Sequence, residues 1–181
     1  MTTKFPKGYE YLGAVAGPKH MLEALLLLGT VEVPGSKNSP VIMTWATELG
    51  LDRAYTGDDV PWCGLFAAIC MKRAGRQPVT NPLWALNWSK FGIASPLPSF
   101  GDILVKKRKT ATGWAGHVTF IVGEDATHYH CLGGNQSDAV CITRIAKKDA
   151  YAIRRPAYVN TPADVKIVKL KATGKTGGSE A

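Results

Sequence analysis

Hydrophobic positions in the first ninety or so residues recur at helical spacing; those that follow do not. Residues 20–28 are mainly apolar, opened by Pro18 and closed by Gly29, the asymmetry with which helices start and stop. Ser39 stands at a capping position with Pro40 after it. Ile42, Trp45, Ala46 and Leu49 then share one face before Gly50. A third helix is expected over 62–74, with Leu65, Phe66 and Ile69 as its stripe and Lys72 and Arg73 in its last turn. Residues 81–91, carrying Trp84 and Trp88, predict a short fourth. After Gly92 the pattern becomes strand-like runs at 103–106, 117–122, 127–132, 139–145 and 150–154, separated by turn residues. Helices first and strands second predict an α+β domain, with N-terminal helices packed on a C-terminal antiparallel β-sheet. Residues 1–17 lack a period and are expected to form an arm, 18–160 the domain, and 161–181 a flexible basic tail.

Composition narrows the function classes. A chain of 181 residues with 45% hydrophobic content is one globular domain rather than a disordered segment. The net charge of +8 suits an anionic partner. The densest basic run, 106–109, lacks interleaved aromatic residues. It reads as a solvated hairpin loop, and nucleic acid is not the expected partner. Four cysteines are too few for a disulfide scaffold. No apolar run approaches the length of a membrane span, and no signal peptide is legible, so a protein kept in the cytoplasm is expected.

The cluster of His128, His130, Cys131 and Cys141 invites a metal reading. Strand alternation puts the two histidines on one side and Cys131 on the other, so no metal is expected there. Asp52, Asp58 and Asp59 lack the alternating oxygen pattern of a calcium loop, and capping or loop bonding is favoured for them. No cofactor is expected.

One constellation carries chemistry. Cys63 follows Pro61-Trp62 in the first turn of the third helix, where unpaired N–H groups and the positive dipole end favour a thiolate and an oxyanion. Asp58 and Asp59 oppose this unless they turn away to cap the helix or hold a loop. Cys70, two turns deeper, fits a structural thiol. His117 opens an apolar strand after Gly113-Trp114-Ala115-Gly116 and is the candidate base. Asn135 lies 18 residues on, a gap that fits a strand, a turn and a return, and is the candidate to orient the imidazole. Gln136 is the alternative.

In this order — helix cysteine, strand histidine, polar residue — the chain resembles the CHAP and NlpC-type papain-like cysteine hydrolases of peptidoglycan, in particular a compact phage endolysin-like subgroup. The matching segments are Glu32-Val33-Pro34-Gly35 with Asn38 and Pro40, Asp58-Asp59-Val60-Pro61-Trp62-Cys63, Gly101-Asp102-Ile103, Gly113-Trp114-Ala115-Gly116-His117-Val118, 132–140 beginning Leu132-Gly133-Gly134-Asn135-Gln136, and Arg154-Arg155-Pro156. Phe100 stands where relatives often have proline, and Gly133 where many have glutamate.

The resemblance implies a papain-like fold over about 18–157 and acyl transfer on an amide of the peptide stem or cross-bridge. Cys63 is then the nucleophile, His117 the base and Asn135 the orienting residue, with Trp62, Trp114 and Gln136 as candidate substrate contacts. It also implies a monomer that acts on bacterial peptidoglycan, held in the host cytoplasm until lysis and then reaching the wall or periplasm. An interbacterial toxin or virion-associated wall hydrolase, and a non-catalytic basic binding module on the same fold, are the alternatives.

Overall fold

The computed structural model describes residues 5–35, 37–171 and 176. Three helices come first: α1 (Lys19–Leu26), α2 (Pro40–Leu49) and α3 (Cys63–Arg73). A 3-10 helix (Ala85–Lys90) stands where a fourth α-helix is expected. Six strands follow: β1 (Ile93–Ala94), β2 (Ile103–Thr110), β3 (Gly113–Glu124), β4 (His128–Gly133), β5 (Cys141–Ala146) and β6 (Ala150–Arg155). They form one antiparallel sheet in the order β1-β6-β2-β3-β4-β5. Helices first and an antiparallel sheet second make this an α+β fold. Among the described residues, no helix is long and apolar enough to cross a membrane.

α3 is the centre of the packing. Its residues 63–71 are all buried, because α1 and α2 lie against it on one side and β3 on the other. A helix enclosed in this way needs apolar or small residues on every face, not a single stripe. Phe66 stacks between Trp45 and Phe120, with ring centres 6.1 and 5.9 Å away, and His20 closes the row edge-on to Phe120. Val118, Phe120 and Val122 join this main core, while Leu104, Ile121, Cys131 and Ile145 form a smaller cluster.

Several expectations are corrected. Residues 5–17 are not an outlying arm: Tyr9 and Leu12 are buried in the core, and Tyr9 Oη lies 2.6 Å from His130 Nδ1. The described part of 161–181 is tied down, since Val168 and Leu170 pair with the backbone of Glu124 and pack on the core. The rest of that tail, Lys175 included, lies outside the described residues. The basic run 106–109 is not a loop but the second half of β2, paired with 114–117. The Ser39 side chain makes no cap bond; its backbone N–H donates to Asp58 instead.

Two segments marked by the resemblance meet at the edge of the sheet. Arg155 donates to both carboxylate oxygens of the fully buried Asp102 at 2.8 Å, and Ser95 and Ser99 complete that carboxylate's bonds.

Two imidazoles are fully buried. Burial lowers His20 to about 4, although the bond from its Nε2 to the Gly101 carbonyl works the other way. Burial also lowers His130, against the pull of Asp125. An unfolded imidazole takes its proton near 6.5. His20 thus contributes stability that is complete above that pH and is lost as the pH falls toward 4, and His130 contributes in the same direction. Thermal melts should therefore show a Tm falling from pH 7 to pH 4.5, with a shallower slope in His20→Gln. A flat wild-type profile over that window contradicts the assignment.

Candidate active site

Cys63 is the first residue of α3 and is buried, 4% exposed. His117 lies near the start of β3 and is also buried. The pairing of β3 with β4 begins at Phe120↔Leu132. On that side His117 therefore borders the turn after β4 rather than a strand.

Three close backbone approaches bring these segments together. A Cβ on Gly64, the neighbour of Cys63, would sit 2.2 Å from the Pro82 carbonyl oxygen and 2.9 Å from that of Leu83. A Cβ on Gly116, the neighbour of His117, would sit 2.7 Å from the Leu86 side chain. Residues 82–86 thus span from the head of α3 to the head of β3. On the other side, a Cβ on Gly134 would lie 2.5 Å from Phe66 and 2.7 Å from the Trp62 ring. The turn carrying Asn135 and Gln136 is thereby pressed against the start of α3.

His117 is bonded to Gln136. The Gln136 Oε1 lies 3.2 Å from His117 Nε2 and accepts from Thr143 Oγ1 at 2.8 Å. Its Nε2 donates toward the carbonyls of Cys131, Gly133 and Cys141. Carbonyls only accept, so the amide nitrogen must face them and the amide oxygen must face His117. His117 Nε2 therefore carries a proton and donates it. In the neutral ring Nδ1 is then the basic nitrogen.

The bond to the imidazole, expected of Asn135 with Gln136 as the alternative, is made by Gln136, which is also a candidate substrate contact. Asn135 instead turns the chain, with φ 55, a left-handed conformation that Asn tolerates better than most residues. A substrate contact by Trp62 is also corrected. Its side chain is fully buried, 5.9 Å from the Trp45 ring centre, and its indole N–H donates to Glu32. Trp114 is exposed.

The acidic residues before Cys63 have structural work. Asp58 accepts from the N–H groups of Val33 and Ser39, and its own N–H donates to Asn38. This stitches the loop at 32–39 to the loop leading into α3. Burial is the largest influence raising Glu32, with Asp138, Asp58 and Asp59 adding to it against the Trp62 bond. Burial pushes the Cys70 thiol well above its ordinary value, as suits a packing residue.

Among the described residues, no group of three or more His, Cys, Asp or Glu is placed to hold a metal ion. His130 is engaged by Tyr9 and Asp125, and Cys131 lies in the smaller apolar cluster.

Sequence reasoning missed the segment at 82–86 and the role of Thr143. Gly64 and Gly116, each beside a candidate catalytic residue, were the legible signal for close approach.

The chain was compared with protein-family models, with curated proteins and with solved structures, and none of the three gave a match.

Gly64→Ala should cost about 1–3 kcal/mol in urea unfolding, because the added methyl forces residues 82–83 off the helix. Unchanged stability would mean that this approach is loose.

Proposed function

We propose that the protein is a papain-like cysteine hydrolase of peptidoglycan, cutting an amide of the peptide stem or cross-bridge. The observation that carries this reading is the buried His117–Gln136 bond. It leaves Nδ1 as the base on a ring beside the segments that hold the head of the Cys63 helix. The resemblance in the segments around Cys63, His117 and Asn135 supplies the substrate class.

In this mechanism His117 Nδ1 takes the thiol proton and the Cys63 thiolate attacks the amide carbonyl. N–H groups at the start of α3 receive the negative charge on the carbonyl oxygen. The imidazolium returns its proton to the amine, which leaves as the C–N bond breaks and a thioester remains. Water, deprotonated by Nδ1, attacks the thioester and releases the carboxylate product and the thiol. Gln136 takes no part in bond making. It accepts the Nε2–H bond throughout and steadies the charged ring.

The biology proposed with this chemistry is lysis by a phage endolysin, held in the host cytoplasm until the membrane is breached. A basic surface favours approach to an anionic envelope.

The test is mass spectrometry of purified peptidoglycan after incubation with the protein. Wild type should release defined fragments whose masses name the bond cut. Cys63→Ala and His117→Ala should each lose on the order of 10³-fold or more in rate. Gln136→Ala should lose on the order of 10²-fold, with the loss mainly in kcat. Fragment release by Cys63→Ala at the wild-type rate would falsify the mechanism.

A further inference from the structure

A second feature lies on the sheet surface beside the site. Lys107 of β2 holds its ammonium 4.1 Å from the ring centre of Trp114 and 4.8 Å from that of Tyr151. Trp114 comes from β3 and Tyr151 from β6, the two strands that flank β2. The rings stay 52% and 53% exposed.

A cation held over two rings fixes their orientation and leaves their outer surfaces to solvent. The chain from 103 to 118 carries four cations and no Asp or Glu, and β6 adds no acid. The surface is therefore aromatic and cationic together, which suits a ligand with flat apolar faces and negative charges. Trp114 lies two residues from Gly116 on the same face of β3, about 7 Å along the strand, and Gly116 abuts Leu86 of the 82–86 segment that reaches the head of α3, while His117 faces the other side of the strand.

We propose that Lys107, Trp114 and Tyr151 form a binding subsite for the glycan strand of the wall polymer. The sugar rings stack on the two aromatic faces, and Lys107 and Lys109 meet carboxylates of the peptide stems. This rests on the peptidoglycan reading of the active site. That reading favours a glycan over a nucleic acid, because the stem being cut and the strand bearing it are one molecule and must lie on adjoining surface. The ordered cation and rings are already in place before binding, so little is lost in arranging them.

The test uses the full chain with Cys63→Ala, so that binding is read without cleavage. The probe is sacculi freed of accessory polymers, with a single-stranded DNA oligonucleotide in parallel. Each variant is first shown to melt like its parent. Trp114→Ala, Tyr151→Ala and Lys107→Gln should each weaken retention on sacculi by about tenfold, the scale of one lost stacking contact. Lys148→Gln, an exposed cation elsewhere on the surface, should bind like the parent.

Three results overturn the proposal: unchanged retention in the three variants, an equal loss in Lys148→Gln, or a loss confined to DNA binding. The subsite and the catalytic reading fail separately. If the variants lose sacculi and the Cys63-intact protein cuts nothing, the subsite stands and the mechanism falls. If that protein cuts and the variants bind normally, the mechanism stands and the subsite falls.

Discussion

The arrangement at the head of α3 depends on how closely two pieces of backbone approach each other at Gly64. The carbonyls of Pro82 and Leu83 occupy the space that a side chain there would fill. Without that approach, residues 82–86 have no route from the helix to Gly116 on β3, and Cys63 and His117 lose their common support. Gly134 sets the opposite side by the same means, against Trp62 and Phe66. Interiors are packed densely enough that one added methyl must displace something. Three missing side chains therefore fix the positions of segments that are far apart in the chain.

Within that frame, Gln136 works as a junction. A buried amide is costly unless its donors and its acceptor are used. Here its nitrogen faces three carbonyls, and its oxygen accepts from Thr143 and His117. This satisfaction is also what gives direction. The carbonyls decide which way round the amide sits, and the amide decides which imidazole nitrogen holds the proton. A glutamate at this point would meet the same three carbonyls with an acceptor and repel them. The fit of an amide here, in a chain with Gly133 where many relatives of the resembled family have glutamate, follows from the local backbone.

The parts of the fold that were legible in the sequence are those set by local pattern. Pro40 and Gly50 bound α2, Gly75 follows the last turn of α3, and the strand runs fall within or close to β2 to β6. The misreadings come from tertiary contacts. Tyr9 and Leu12 have no period of their own and become core only through tertiary contact, Tyr9 with His130 of β4 and Leu12 beside Leu22 and Leu25 of α1. The basic run at 106–109 looks like a loop by composition, yet pairing with 114–117 extends β2 through it. Cys63 and His117 stood out by context. Choosing between Asn135 and Gln136 was beyond spacing alone, because a left-handed residue in the turn puts the side chain that meets His117 one position further along.

Charge placement joins these features. Carboxylates near a thiol oppose its ionisation; Asp58 and Asp59 precede Cys63 in the chain, and Glu32 bonds the adjacent Trp62. The fold limits their effect in two ways. Asp58 is held by the N–H groups of Val33 and Ser39, so its charge is directed into the loop it secures. Glu32 is pushed toward its neutral form by burial and by its acidic neighbours. The acids thus serve the scaffold under Cys63, while the cations Lys106, Lys107 and Lys109 lie on the strand paired with the head of β3. Positive charge is thus concentrated on the strand beside the head of β3. The carboxylates of Asp58 and Glu32 are engaged in holding the loops and the Trp62 ring at the head of α3.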